Sequence, residues 1–134
     1  MKRRKVWVYS PKKSWPIVPK EIQDSVINQT ELAISQLILR YFESHNHRSK
    51  DSLTTITSHW RRSYFYIIGI YHTTARNVIN ADYKENLARL EYVSPDQFNL
   101  AYFRHTGQWF EITCDQSLKS CLSTIAENSF FHPR

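Results

Sequence analysis

The sequence predicts an α+β fold: a mainly antiparallel sheet of about five strands, with a long helix from the N-terminal half and a C-terminal helix on one face. Three observations predict it. Apolar residues recur at helical spacing over about residues 19–44. Strand-type segments then follow one another from Leu53 to Cys114, separated by turn signals. A second, shorter helical stripe closes the chain after Asp115.

The first segment, Lys5-Val6-Trp7-Val8-Tyr9, is short, β-branched and aromatic, and reads as a strand that can add to the sheet. Pro11, Pro16 and Pro19 then impose an extended path. Pro19 suits the first turn of the long helix. On that helix Val26, Thr30, Ala33, Leu37 and Tyr41 share one face, with Ile22, Ile34 and Ile38 beside them. The polar stretch ESHNHRSKD ends it. Leu53–Ser58 and Tyr64–Tyr71 read as strands, with His59-Trp60-Arg61-Arg62-Ser63 as their connection. YFYIIGIY is apolar on both faces, which predicts a central strand covered on both sides. Gly69 within it predicts a bulge or a close approach of other backbone. His72–Tyr83 reads as a loop.

The most informative stretch is Asn86–Cys114, three strand-type runs around two turns. Ser94-Pro95-Asp96-Gln97 fits a type I turn with proline at its second position. At His105-Thr106-Gly107 a type I turn with Gly107 left-handed is preferred on register. It places Phe98, Leu100 and Tyr102 on one face with Phe110, Ile112 and Cys114, and leaves Trp109 and Glu111 on the other. Asp115 is read as the cap of a helix over about 116–128, with Leu118, Cys121, Leu122 and Ile125 buried. The tail from Phe130 either docks by its two phenylalanines or frays.

At 134 residues the chain reads as one domain, with a basic, proline-rich arm (1–20) and a globular body (21–134). The arm holds seven basic residues and no acid, a charge of +7; the body holds eleven basic and twelve acidic residues, or −1. The formal +6 therefore resides in the arm. No apolar run is long enough for a membrane span, and the N-terminus lacks a signal-peptide pattern, so a cytoplasmic protein is expected. Cys114 and Cys121, outside any C-x-x-C pair, are expected to be buried free thiols.

Charge and aromatic residues together mark the candidate contacts. Lys2, Arg3, Arg4, Lys5, Lys12 and Lys13 can clamp phosphates or an acidic protein surface, and Trp7 interleaves with them for stacking. Trp60, Arg61 and Arg62 offer a phosphate-and-base contact. Arg104 and Trp109 do the same near the glycine turn, where Arg104 stacking on Trp109 is the plainer alternative. No catalytic residue is assigned; the groups able to move a proton there are His105 with Arg104 or Glu111. His45-Asn46-His47 lacks the acidic or cysteine support of a metallonuclease, although its histidines with His59 or His72 have the right chemistry for a metal. No phosphate-cradling glycine loop, nucleophile elbow or paired catalytic carboxylates are present, and no cofactor or metal is expected.

The pieces KVWVYSPKK, RLEY and FNLAYFRHTGQWFEI resemble an uncharacterised family of small bacterial proteins of unknown function. The aromatic strand, Arg-containing turn and Trp-aromatic strand are also similar to a broader domain family without assigned activity. The resemblance implies a bacterial cytosolic protein and supplies no catalytic residue. The residues rank three expectations: a nucleic-acid-associated protein (single-stranded or backbone contacts) without catalytic activity of its own, a protein-interaction or assembly subunit, and a small ribonuclease or hydrolase using His105.

Overall fold

The computed structural model describes residues 17–44, 51–75, 77, 79 and 81–134. The expected strand at Lys5–Tyr9 and the contacts assigned to Lys2, Arg3, Arg4, Lys5, Trp7, Lys12 and Lys13 lie outside the described residues, as does His45-Asn46-His47.

Helix α1 (Lys20–Ser44) is followed by strands β1 (Asp51–Arg61), β2 (Tyr64–Thr73), β3 (Asp82–Ser94), β4 (Gln97–Phe103) and β5 (Trp109–Gln116). Helix α2 (Leu118–Glu127) and a 3-10 turn (Ser129–Phe131) complete the chain. The strands form one antiparallel meander in chain order. This is the α+β architecture that the periodicities predict.

The buried stripe of α1 is Val26, Thr30, Ile34, Leu37 and Tyr41. Full burial of such a large apolar side chain contributes about 1.5–3 kcal/mol. Two hydrogen bonds lay the helix along β1. Trp60 Nε1 donates to Gln23 O at 3.2 Å, and Leu53 N donates to Tyr41 Oη at 3.0 Å. One cross-strand row of the core reads Trp60, Phe65, Leu90, Leu100. Phe65, Leu90 and Leu100 are sealed.

Several expectations need correction. His59, Trp60 and Arg61 belong to β1, and the connection shrinks to Arg62-Ser63, with Arg62 in the left-handed region at φ 57. The loop expected over 72–83 is also shorter, because β2 runs to Thr73 and β3 begins at Asp82. Asp96 at φ 55 follows Pro95, and a positive φ at that position belongs to a type II turn instead of type I. Around Gly69 it is side chains that crowd, not backbone: an added Cβ would meet Tyr71 Cε1 at 3.0 Å and Leu53 Cδ1 at 3.4 Å. The bulge lies across from it in β3, where Leu87 is extra between the pairs Ile67↔Ala88 and Ile68↔Asn86.

The second hairpin follows the preferred register. Gly107 N donates to Arg104 O at 2.9 Å, Gly107 has φ 86, and Tyr102 opposes Phe110. Phe110 nevertheless stays 46 % exposed beside Tyr102. Farther along, Glu111 opposes Ala101 and Thr113 opposes Leu100, so Ile112 is an extra residue in β5. Past it the alternation inverts. Cys114 is therefore exposed, contrary to expectation, and its Sγ donates to Glu111 Oε1 at 3.2 Å. Asp115 does not cap α2. It takes φ 54 and gives its N–H to Asn99 Oδ1, while Ser117 caps the helix by accepting from Ser120 N. Asp96 Oδ1 accepts from Leu118 N.

The tail docks. Phe131 is fully buried, and Arg134 N donates to Tyr71 Oη at 3.0 Å. Arg40 Nη1 donates to Ala126 O at 2.6 Å, and His132 Nε2 lies 3.1 and 3.0 Å from Ile125 O and Ala126 O. These side chains satisfy the last carbonyls of α2, which lack partners inside the helix.

The two thiols give a direct check on β5. In the native protein Cys114 should react with a thiol reagent while Cys121, buried in α2, should not. Labelling of both at equal rates without denaturant contradicts the inverted alternation.

Candidate functional site

Both helices and the tail pack against the face carrying Phe65, Leu90 and Leu100. The opposite face carries no helix among the described residues. Its side chains follow from the pairing. One row crosses all five strands as His59, Tyr66, Arg89, Ala101, Glu111. The next reads Arg61, Tyr64, Glu91, Asn99, and beyond the first row Phe103 opposes Trp109.

These residues form a connected aromatic surface. His59 stacks on Tyr66 at 5.3 Å, Tyr66 meets Tyr64 at 6.2 Å and Trp109 at 5.9 Å, and Trp109 meets Phe103 at 5.1 Å. The Arg89 guanidinium lies 4.5 Å from the Tyr64 ring centre and 5.0 Å from that of Trp109. Each such contact contributes about 0.5–1 kcal/mol at an exposed site. Mutual packing leaves Tyr64, Tyr66, Phe103 and Trp109 half-buried without any covering element. This also corrects the expectation that β2 is covered on both sides: its burial alternates strictly from Tyr64 to Tyr71.

Two carboxylates stand among the rings. Asn99 Nδ2 donates to Glu91 Oε1 at 3.2 Å, and Glu111 accepts from Cys114. Burial first, and then the Glu91 charge, raise the Tyr64 phenol above its ordinary value. The hydrogen bond to Glu111 raises the Cys114 thiol. Arg61, Arg89, Glu91 and Glu111 balance formally, so the surroundings of the rings are nearly neutral.

The residues singled out from sequence divide among four places. Trp109 and Glu111 stand on the open face, as the register requires. Trp60 lies on the helix side, against Phe65 and bonded to Gln23, so it anchors the core instead of offering a contact. Arg61 and Arg62 are exposed at the β1–β2 turn. Arg104 stacks on Phe110 at 5.1 Å, and the arginine over Trp109 is Arg89. Arg104 and His105 line a cleft beside the tail, apart from Glu111. His72 pairs with Asp82 at 2.7 Å, and no cluster of metal-ligating side chains occurs among the described residues. Tyr64, Tyr66, Arg89, Glu91 and Phe103 are the members that the sequence reading missed, and His59 figured there only in the connection and as a metal partner. The signal lay in the alternation: Tyr64 and Tyr66 interleave with Phe65 and Ile67, and Arg89 and Glu91 interleave with Leu90 and Tyr92.

Burial raises the Cys121 thiol from 9.0 to about 11. Burial and the hydrogen bond to Asp51 raise Tyr83 from 10.0 to about 12. Both folded values exceed the unfolded ones, so the stabilisation is complete at low pH and lost as pH rises through the folded values. Unfolding midpoints measured against pH should decline from about pH 9 to about pH 12. A flat profile there contradicts the burial of both groups.

Among the described residues no helix is long and apolar enough to cross a membrane. No curated protein and no solved structure matches the chain. A family model described as a domain of unknown function, DUF3024, matches residues 25–133, from within α1 to the tail.

Proposed function

The chain belongs to the DUF3024 family, and from that premise we propose that it binds single-stranded nucleic acid on its open sheet face and has no catalytic activity of its own. The observation that carries this reading is the Arg89 guanidinium set between Tyr64 and Trp109 in a continuous aromatic row. Successive bases stack on such a surface of rings and guanidinium planes, because every base has a π-face. Glu91 and Glu111 repel phosphate and can accept from base amino groups, which sets the bases, not the backbone, against the centre of the face.

The phosphates then need a cationic partner elsewhere. Seven basic residues lie within 1–20. Gln23 Nε2 donates to Val18 O at 3.1 Å, and Gln23 O accepts from Trp60, so the chain enters the body beside Arg61 and Arg62. In this reading the rings supply stacking, and the arm with Arg61 and Arg62 supplies the salt-dependent part. A cytoplasmic location accords with such a partner and belongs to the same proposal.

A labelled single-stranded oligonucleotide titrated at low and moderate salt tests it. Binding should weaken steeply with salt, and deleting residues 1–16 should flatten the slope while leaving weak binding on the rings. No binding at low salt, or a slope unchanged by the deletion, contradicts the reading.

A further inference from the structure

A second site opens on the other side of Phe103. The β3–β4 pairing ends at Arg89↔Ala101, beside the Leu87 bulge. Lys84–Leu87 and Phe103–Arg104 therefore part, and the tail closes the gap from one side. The resulting cleft has a volume of about 260 Å³ and adjoins a second of about 300 Å³ that shares Arg104, His105, Phe130 and Arg134.

Its walls are cationic. Lys84, Arg104 and Arg134 line it with His105, against one acidic side chain, Glu85. Among the described residues none of these three cations makes an ion pair. The Arg104 guanidinium lies over the Phe110 ring, 5.1 Å from its centre. Lys84 from β3, Arg104 from the turn and Arg134 from the tail border one opening, and cations set around an opening favour a dianion there. Guanidinium forks match the oxygens of a phosphate, and a lysine adds a point charge. Phe130, 61 % exposed and stacked on Tyr102 at 4.7 Å, gives the cleft an apolar ring beside the charges.

The geometry points to a phosphate-monoester site in this cleft, filled by a nucleoside monophosphate or by the 5′-terminal phosphate of a single strand. The site stands independently of stacking on the open face.

Calorimetric titration of the full chain with adenosine 5′-monophosphate, adenosine, and one oligonucleotide with and without a 5′-phosphate tests it. Binding of the monophosphate but not of adenosine is expected, reduced about tenfold or more in Arg104→Ala and in Lys84→Ala. Both side chains are exposed, so the melting temperature should hold in each variant. Trp109→Ala, which weakens the open face, should leave monophosphate binding intact. A 5′-phosphate that strengthens oligonucleotide binding while the free monophosphate fails to bind assigns the site to strand ends. Equal binding of adenosine and its monophosphate, or no effect of phosphate in either form, overturns the site.

Discussion

Phe131→Ala should destabilise the protein by about 3–5 kcal/mol, the range for emptying a buried phenylalanine site. That is a large share of the roughly 5–15 kcal/mol that holds a domain folded. Phe131 is fully buried, three residues before Arg134, in a tail that the sequence leaves either to dock or to fray. Its ring meets Tyr102 edge-on at 6.2 Å. The preceding turn holds it in place: Phe130 N donates to Asn128 Oδ1 at 3.0 Å, and Phe131 N donates to Asn128 O at 3.1 Å. The neighbour is the control. Phe130 is 61 % exposed and only stacks on Tyr102, so Phe130→Ala should cost about 0.5–1.5 kcal/mol. Denaturant midpoints of the two variants measure the difference. Equal midpoints would mean that the tail is not part of the core.

Trp109→Ala should weaken binding of a 5′-hydroxyl single-stranded oligonucleotide by about 1–3 kcal/mol, the worth of one base stacked on an aromatic side chain. That is a factor of about 5 to about 150 in the dissociation constant. Trp109 touches Tyr66, Phe103 and Arg89, so its loss also frees Arg89 from one of its two rings. Unlike the arm deletion, this variant should shift affinity at every salt concentration by a similar factor, because no phosphate contact is removed. Leu39→Ala, on the outer face of α1 and 59 % exposed, is the control and should leave binding unchanged. Equal weakening in both variants would move the interaction away from the open face.

The legible parts of the sequence are those where one period dominates. The α1 stripe through Val26, Thr30, Leu37 and Tyr41 repeats at helical spacing, and the buried residues follow it, with Ile34 in place of Ala33. Gly107 identified its turn because glycine takes a left-handed position at the least cost, and the register of Tyr102 and Phe110 followed. What stayed illegible depends on single extra residues or on tertiary partners. One bulge at Ile112 moved Cys114 to water. The polar letters of HWRRS read as a loop, yet Trp60 satisfies its indole N–H on α1 and turns its ring inward. Tyr64, Tyr66, Ile68 and Ile70 make β2 apolar on both faces, and composition alone does not separate a face covered by a helix from one whose rings pack on each other. For that reason the open face, with Arg89 at its centre, emerged only from the strand pairing.

Backbone amide shifts of the ¹⁵N-labelled protein, followed while a 5′-hydroxyl single-stranded oligonucleotide is added, test the open face most directly. The account predicts that the largest shifts fall on His59–Tyr66, Arg89–Glu91, Ala101–Phe103 and Trp109–Glu111, with α1 residues such as Leu32 and Leu39 unmoved. Shifts confined to the helix side, or none at oligonucleotide excess in low salt, would contradict it.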